Sequence, residues 1–465
     1  MKIKLAKTEL IHFVGIGGIG MSGLALIMKS LGFKIKGSDI VNNKNVERLK
    51  KNKIKISIGH KKKNINKSTI VVISSAIKKN NPEYIEALKK KIPIYKRGDV
   101  LGHIVSLMNN IVIAGSHGKT TTTSLISSIF AITKLDPTII NGGIINSLGS
   151  SAKLGKGDWC ILETDESDGS FLKIPKTYSI VTNIDEEHMD YYKNLNNLKK
   201  KFSLFIDKTP SFGKSFLCID NINIKNIIKK IKNKNFLTYG EDKSSNYRIY
   251  NIRQNINNST FNIKISLPGQ KIKTIKNIKI PIIGVHNIKN ATASFAVTNT
   301  IGISNVMIKK GLKEFKGVQR RFNKLFTFQK SIFFDDYAHH PTEIEEVLNG
   351  VKKVYKEKEI VCVFQPHRVS RLKSLRNKFA KAFKKADTVL LCPIYKAGEN
   401  ISLGFSYSKF ANELISKSNV KLILIKNQYE LSKFIKHNIY GSKIVIGMGA
   451  GSISSWMRSL PKFLK

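Results

Sequence analysis

Cysteine is scarce in this 465-residue sequence, and the four cysteines that occur are scattered. They are Cys160, Cys218, Cys362 and Cys392, and no two of them form a Cys-x-x-Cys pair. This pattern argues against a disulfide framework or a zinc ribbon and is typical of a reducing cytoplasm. The sequence also lacks an apolar run long enough to span a bilayer. We therefore expect a cytoplasmic protein that does not insert into membranes.

Acidic residues are few as well. The chain has 32 Asp and Glu residues against 80 Lys and Arg residues, which gives a formal charge of +48 at pH 7. Such a charge can indicate a nucleic-acid-binding protein. Here, however, the lysines are spread over the whole chain, and aromatic residues do not alternate with them as in a base-stacking surface. Heavy use of Lys, Asn and Ile is better explained by an AT-rich genome. We expect no nucleic-acid partner, although the charge could attract anionic substrates.

The length predicts about three domains, because a single core seldom organises more than about 300 residues. Strand-like apolar runs alternate with helical patterns, which indicates an α/β fold. The first domain, residues 1–108, and the third, residues 317–465, are predicted to be Rossmann-like. The central domain, residues 109–316, is predicted to resemble a P-loop ATPase. It also carries β-hairpins between about residues 245 and 280, where polar and apolar residues alternate.

A glycine loop organises the central domain. The apolar segment Ile111–Ala114 predicts a buried strand, a loop runs from Gly115 to Gly118, and a helix begins at Lys119. This order is typical of a phosphate-binding P-loop, although two residues rather than the usual four separate the glycines. Lys119 could reach the terminal phosphates of ATP, and the Thr120 hydroxyl could bind Mg²⁺. The alternative is an ordinary strand-to-helix turn.

Polar segments follow the next two predicted strands. Residues 163–168, Glu-Thr-Asp-Glu-Ser-Asp, come after the buried strand Trp159–Leu162. Carboxylates at the carboxyl end of a parallel strand beside a P-loop are typical Mg²⁺ ligands. His188 follows the predicted strand Ile180–Val181. Its spacing leaves open whether it binds a second metal ion or is a polar residue on a loop.

The first domain contains a Gly-x-Gly-x-x-Gly fingerprint at residues 15–20, between a predicted strand and a predicted helix. With an acid, Asp39, about 20 residues later, this fingerprint is typical of dinucleotide binding. Taken alone it favours NAD, but the same turn can hold any diphosphate, including that of a UDP-sugar. An NAD-dependent oxidoreductase is therefore an alternative function, and it leaves the P-loop unexplained.

Two predicted strands of the third domain end in polar clusters. The clusters are Asp335–Glu343 and Gln365–Arg371. Ligands bind at strand ends in open α/β sheets. Arg368 and Arg371 suit a carboxylate, because a guanidinium can donate two parallel hydrogen bonds to it.

These motifs together resemble the Mur ligases, the ATP-dependent amino-acid ligases of peptidoglycan precursor synthesis. The resemblance runs from Gly15 to Gly451 and depends on the order and spacing of short motifs. The motifs lie at residues 15–23, 115–122, 163–168, 188–190, 286–290, 320–322, 335–343 and 364–368. Within the family the chain is most similar to the members that add L-alanine to UDP-N-acetylmuramate.

The resemblance implies a role for each matching residue. ATP would be bound by Gly115, Ser116, His117, Gly118, Lys119, Thr120, Thr121, Asn287, Asn290, Arg321 and Asp336. The UDP substrate would be bound by Gly15, Gly17, Gly18, Gly20, Ser38, Asp39, Ser75, Glu166 and Ser167. The incoming L-alanine would be bound by Tyr337, His339, Arg368 and Arg371. Two Mg²⁺ ions would be held by Thr120, Glu163 and His188. Catalysis would depend on Lys119, Glu163, His188 and Arg321. The two asparagines would contact adenine, although on their own they could equally cap their helix.

The implied reaction makes an acyl phosphate from the substrate carboxylate and ATP, and the amine of L-alanine then attacks it. The nearest alternative is a recycling ligase that joins a whole peptide to the same sugar nucleotide. Such an enzyme shares the P-loop but is expected to differ at the motifs around residues 166–168, 188–190 and 364–368. The chain is expected to act as a monomer or a homodimer.

Overall fold

The computed structural model describes residues 9–74, 76–106, 108–399 and 406–464. By compactness the chain divides into two units. The first unit comprises residues 1–251, 261–279 and 289–316, and the second comprises residues 252–260, 280–288 and 317–465. Three sheets are formed, of five, ten and six strands, and helices alternate with most of their strands. The predicted three-domain α/β fold is confirmed.

The first sheet is parallel throughout, with strand order β3-β2-β1-β4-β5. Its strands are β1 (Leu10–Val14), β2 (Lys34–Asp39), β3 (Lys55–Ile58), β4 (Ile70–Ile73) and β5 (Ile94–Lys96). Its helices are α1 (Ile19–Ser30), α2 (Lys44–Lys51), α3 (Pro82–Lys89) and α4 (Arg97–Val105). This order is that of a doubly wound nucleotide-binding sheet, which binds ligands at the carboxyl ends of its strands.

The second sheet has the order β15-β14-β13-β12-β11-β10-β6-β9-β7-β8. Its strands are β6 (Asn109–Ala114), β7 (Thr138–Ile145), β8 (Ser150–Lys153), β9 (Trp159–Glu163), β10 (Tyr178–Val181), β11 (Lys214–Cys218), β12 (Phe236–Gly240), β13 (Tyr247–Asn255), β14 (Asn258–Ile265) and β15 (Lys273–Ile280). Its helices are α5 (Lys119–Ala131), α6 (Met189–Tyr192), α7 (Leu195–Asp207), α8 (Ile222–Ile228), α9 (Val285–Thr300) and α10 (Asn305–Lys313). The central strand β6 pairs in parallel with β9 and β10, so that the segments after all three strands meet at one edge.

The third sheet has the order β16-β17-β21-β18-β19-β20, and only β16 is antiparallel. Its strands are β16 (Asn323–Phe328), β17 (Ser331–Asp336), β18 (Ile360–Phe364), β19 (Thr388–Leu391), β20 (Lys421–Leu424) and β21 (Ile444–Met448). Its helices are α11 (Pro341–Val354), α12 (Val369–Ser374), α13 (Arg376–Lys381), α14 (Tyr407–Ser418), α15 (Gln428–Asn438) and α16 (Ile453–Ser459).

The central strands of the third sheet are buried on both faces. Along β18, Ile360, Cys362 and Phe364 belong to one apolar cluster, whereas Val361 and Val363 belong to another. Helices cover both faces of a parallel sheet, so its central strands are apolar at successive positions. This is why a continuous apolar run predicted the strand.

The predicted strands and helices are present, with some ends shifted. Helix α1 begins at Ile19, inside the glycine fingerprint, and β2 continues through Asp39. Strand β17 extends to Asp336, so the two acids predicted to follow it lie within it. Strands β7 and β8 were not predicted, because Asn, Gly and Ser residues interrupt their apolar pattern.

The four cysteines are free and buried, in agreement with their spacing. Among the described residues, no helix combines the length and the apolar character needed to cross a bilayer.

Candidate active site

The glycine loop between β6 and α5 forms as predicted. Gly115 has a φ of +133° and Gly118 a φ of +83°, conformations that side chains disfavour. A Cβ at Gly115 would lie 2.1 Å from Thr182 Oγ1, and one at Gly118 would lie 2.6 Å from Asn290 Oδ1. Both positions therefore need glycine for conformation and for space.

The segment after β10 holds the glycine loop in place through hydrogen bonds. The Asn183 carbonyl accepts the Ser116 N–H at 3.1 Å, and Asn183 Oδ1 accepts the His117 N–H at 2.8 Å. Thr182 Oγ1 donates to the His117 carbonyl at 2.6 Å. The amides left to face a polyanion are those of Gly118 and of the first turn of α5, which have no intrahelical acceptor. The sequence did not single out Thr182 and Asn183, although they directly follow a predicted strand.

Ser116 and His117 are held in turn by Asp185. The Asp185 N–H donates to Ser116 Oγ at 2.9 Å, and His117 Nε2 lies 3.2 Å from Asp185 Oδ2. Their predicted contact with ATP stays a prediction.

Lys119 is folded back over the loop. Its Nζ donates to the carbonyls of Gly115 at 2.5 Å and Ser116 at 3.2 Å, and it lies 3.0 and 2.9 Å from the two carboxylate oxygens of Glu166. Burial opposes the charge of Lys119, but Glu166, Glu163 and Glu187 outweigh it and raise the pKa of the ammonium. Lys119 is therefore charged over the whole physiological pH range. It is placed beside the phosphate-facing amides.

Glu163 lies beside Thr120, the residue after Lys119, as the predicted Mg²⁺ site requires. Thr120 Oγ1 donates to Glu163 Oε1 at 3.2 Å, and the other carboxylate oxygen accepts the Gly142 N–H at 2.9 Å. A hydroxyl and a carboxylate are hard oxygen ligands of the kind that Mg²⁺ prefers. The pair fits a magnesium ion.

A second group of possible metal ligands surrounds His188. His188 Nε2 lies 3.7 Å from Glu166 Oε1 and 3.7 Å from Glu187 Oε2, and the ligand atoms of the three residues all lie within 4.8 Å of one another. Both carboxylates are buried, and burial raises the pKa of Glu166. Three carboxylates, those of Glu163, Glu166 and Glu187, thus share the charge of Lys119. This excess of negative charge fits a divalent cation.

Sequence reasoning did not name Glu187 as a possible metal ligand and assigned Glu166 to the UDP substrate only. The signal for Glu187 was its place directly before His188, in a segment that follows a strand beside the P-loop. Ser167, also assigned to the UDP substrate, donates its backbone N–H to Asp165 Oδ1 at 2.9 Å. Its predicted substrate contact is untested.

The two asparagines assigned to adenine lie on α9. Asn290 is buried, with its side chain next to Gly118. Asn287 Nδ2 donates to the Ile283 carbonyl at 2.7 Å. Since α9 begins at Val285, neither asparagine is the residue that caps it. Their role toward adenine stays a prediction.

The glycine loop of the first domain rests on the end of β2. The N–H groups of Gly15 and Ile16 donate to the Ser38 carbonyl at 2.9 and 3.0 Å. The Gly17 N–H donates to Asp39 Oδ2 at 2.8 Å. Gly18 is the N-cap of α1, without a side-chain capping hydrogen bond. The predicted arrangement of a diphosphate-binding turn is present.

Ser38, assigned to the UDP substrate, is held from inside the domain. The residue is fully buried, and its hydroxyl donates to Glu83 Oε2 at 2.5 Å. Its predicted contact with the UDP substrate stays a prediction. Ser75, also assigned to that substrate, lies outside the described residues.

In the second unit, Asp336 anchors the chain around it. Its Oδ1 accepts the Ala338 N–H at 2.7 Å and its Oδ2 accepts the Phe322 N–H at 2.8 Å. Burial raises the pKa of Asp336 to about 6, although Arg321 opposes this shift. Arg321 Nη1 lies 3.5 Å from Glu343 Oε1. Asp336 therefore holds the backbone next to Arg321, and the predicted contact of both residues with ATP stays a prediction.

The residues assigned to L-alanine form one group with His367, which sequence reasoning did not name as a site residue. The ring of His339 lies 5.2 Å from that of Tyr337 and 5.8 Å from that of His367, centre to centre. Arg371 Nη1 lies 3.1 Å from His367 Nδ1. Burial, His339 and Arg371 lower the pKa of His367 to about 3, so the imidazole is neutral and accepts this hydrogen bond. Arg368 begins this segment with a φ of +68°, a strained conformation for a side chain of this size.

Comparisons with known proteins agree on one family. Residues 10–108 match the model "Mur ligase family, catalytic domain", residues 113–298 match "Mur ligase middle domain", and residues 320–451 match "Mur ligase, glutamate ligase domain". The UDP-N-acetylmuramate–L-alanine ligase of Pelagibacter ubique is 64% identical over 464 residues, which is 100% of both chains. The crystal structure of the UDP-N-acetylmuramate–alanine ligase of Thermotoga maritima superposes with a TM-score of 0.82 at 27% identity, covering 97% of this chain and 98% of that one. A murein peptide ligase of Psychrobacter arcticus shares the fold, with a TM-score of 0.72 at 21% identity over 98% of both chains.

Proposed function

This chain belongs to the Mur ligase family, and from that membership we propose that it joins L-alanine to the carboxylate of UDP-N-acetylmuramate with hydrolysis of ATP. The products are UDP-N-acetylmuramoyl-L-alanine, ADP and phosphate, and the reaction is a step of peptidoglycan precursor synthesis. The observation that carries the proposal is the group of Lys119 and three glutamates beside the P-loop, where the segments after β9 and β10 meet it. The full-length similarity to alanine-adding ligases supports the choice of amino acid.

The first chemical step needs a site that tolerates concentrated negative charge. A free carboxylate is a poor acylating agent, so its oxygen attacks the γ-phosphate of ATP and an acyl phosphate forms. Lys119 and the first-turn amides of α5 would stabilise the charge on the phosphoryl oxygens. Mg²⁺ bound at the carboxylates would neutralise part of the same charge. We propose two ions, one held by Thr120 and Glu163 and one held by Glu166, Glu187 and His188.

The second step is attack by the amine of L-alanine on the acyl carbon, with departure of phosphate. Arg368 and Arg371 would bind the alanine carboxylate. Neutral His367 fixes Arg371 through its Nδ1, and His339 and Tyr337 complete that group.

Further features of the chain enter the proposal. We place the domain limits after residues 108 and 316, which lie between the three sheets. We propose a cytoplasmic enzyme, active as a monomer or a homodimer, with no nucleic-acid partner despite its formal charge of +48.

The experiment is release of inorganic phosphate from ATP and Mg²⁺ in the presence of UDP-N-acetylmuramate, with L-alanine, with a tripeptide, or with neither. We expect release that requires both the sugar nucleotide and L-alanine. Release only with the tripeptide would assign the chain to peptide recycling. No release in any arm would overturn the ligase proposal.

A second prediction concerns the cation. Glu187→Gln removes a charge from the group around His188, and we expect the Mg²⁺ concentration for half-maximal rate to rise about 10-fold or more. Glu186→Gln, at the neighbouring acid, is the matched control and should leave the Mg²⁺ requirement unchanged. Equal Mg²⁺ titrations for the two variants would remove Glu187 from the metal site.

A further inference from the structure

Arg97 lies against the first turn of α1. A Cβ at Gly20 would lie 2.9 Å from Arg97 Nη1 and 3.4 Å from Arg97 Cζ. The guanidinium therefore occupies the space that any side chain at position 20 would need. The sequence assigned no role to this arginine, which is the first residue of α4.

The same guanidinium reaches the acidic segment that follows β9. Arg97 Nη2 lies 3.3 Å from Asp165 Oδ2, and the next residue, Glu166, pairs with Lys119. The start of α4 is held there by Lys173 Nζ, which lies 2.6 Å from Asp99 Oδ1. Arg97 thus stands between the glycine loop of the first domain and the acids beside the P-loop.

Arg97 also lies beside a second positive feature, the N-terminus of α1. The N-terminus of α1 carries the positive end of the helix dipole, its first turn contains no acid, and its N-cap residue makes no side-chain capping hydrogen bond. A cation beside that end is unfavourable unless a negative group lies between them. Asp165 makes a single contact with Arg97, and its side chain is 43% exposed. The guanidinium has five N–H donors, so most of them are left for another acceptor.

We propose that Arg97 is a substrate-binding residue that donates to the diphosphate of UDP-N-acetylmuramate, together with the backbone N–H groups of the first turn of α1, which have no intrahelical acceptor. The inference rests on the proposed function, because that function supplies the diphosphate. It explains why position 20 is glycine, since a methyl group there would displace the guanidinium.

The test is direct binding of UDP and of uridine to the full chain, measured by isothermal titration calorimetry. Arg97→Gln should weaken UDP binding about 10- to 100-fold, as expected for loss of hydrogen bonds to a charged group, and should leave uridine binding unchanged. Gly20→Ala should weaken UDP binding without a loss of thermal stability, because alanine favours a helix over glycine. Arg253→Gln, at an exposed arginine of β13, is the matched control and should bind UDP as the native chain does.

Asp165→Asn separates binding from a merely structural ion pair. If Arg97 binds the diphosphate, losing its acidic competitor leaves UDP affinity equal or tighter. If the pair only joins two segments, Asp165→Asn weakens UDP binding as much as Arg97→Gln does, and the proposal is wrong. Unchanged UDP affinity in Arg97→Gln would also overturn it. A native chain that binds UDP but releases no phosphate with L-alanine would contradict the proposed function instead, so the two failures are distinguishable.

Discussion

Replacing Lys119 with alanine is expected to lower kcat by about 100- to 1,000-fold, the loss typical of one removed electrostatic donor at a transition state. Lys119 Nζ lies at the end of the glycine loop, beside the amides of the first turn of α5. Its charge would stabilise the phosphoryl oxygens while the acyl phosphate forms. The measurement is single-turnover formation of ADP with saturating ATP and UDP-N-acetylmuramate.

The same substitution also changes stability, because Lys119 balances buried carboxylates. Glu166 is 1% exposed and lies 2.9 Å from the ammonium. Removing one partner of such a pair leaves an uncompensated charge and costs about 3–5 kcal/mol. The pKa of Lys119 is raised in the folded chain, so its contribution is fully present below the pKa of a free lysine and is lost only in strongly alkaline solution.

A double variant separates the two effects. Lys119→Ala with Glu166→Gln removes the ammonium and the charge that it balances, and it should recover much of the lost stability without recovering kcat. Lys119→Ala alone should also regain stability as Mg²⁺ is added, because the three glutamates then have a cation. A Lys119→Ala enzyme with native kcat would contradict the P-loop assignment.

The sequence was sufficient to predict the P-loop because each part of it is local. An apolar strand, two glycines and a helix start follow one another between residues 111 and 131, and the structure forms them in that order. The same holds for the first-domain glycine loop and its acid, Asp39, whose carboxylate accepts the Gly17 N–H.

The contacts that hold these loops could not be read from local patterns. Asn183 accepts hydrogen bonds from Ser116 and His117 across more than sixty residues of chain. Glu187 faces Glu166 only because β9 and β10 both pair with β6. Spacing along the chain does not state which strands are neighbours, so both residues were missed.

Ser38 shows a different limit. The family resemblance assigned Ser38, like its neighbour Asp39, to the UDP substrate. In a strand, however, successive side chains point to opposite sides. The Ser38 hydroxyl points inward, because a buried acceptor more than forty residues away lies on that side. Nothing in the sequence around Ser38 reveals that acceptor, which is Glu83.

Replacing Glu83 with glutamine is expected to lower the free energy of unfolding by about 3 kcal/mol at pH 7. Glu83 is fully buried. It accepts hydrogen bonds from Ser38 Oγ at 2.5 Å and Asn64 Nδ2 at 2.5 Å, and it lies 3.1 Å from His12 Nε2. Burial opposes its ionisation, but the hydrogen bonds from His12, Ser38 and Asn64 outweigh burial and lower the pKa of Glu83 to about 2.

The lowered pKa of Glu83 also predicts how the loss of stability in Glu83→Gln depends on pH. A carboxylate whose pKa is lowered on folding stabilises the chain above its unfolded pKa, and the stabilisation is lost as the pH falls through the folded pKa. For Glu83 this window runs from about pH 4.5 down to about pH 2. The difference between the native chain and Glu83→Gln, measured by urea titration, should therefore be constant from pH 7 to pH 5 and shrink between pH 4.5 and pH 2.

Glu86→Gln, on the same helix α3, is the matched control. Glu86 pairs with Lys90 at 3.2 Å near the surface, and such a pair contributes at most about 1 kcal/mol. A loss of stability in Glu83→Gln no larger than that in Glu86→Gln would mean that the buried hydrogen bonds of Glu83 do not favour its charged form. A large loss would show that one carboxylate fixes the end of β2, on whose Ser38 carbonyl the glycine loop of the first domain rests.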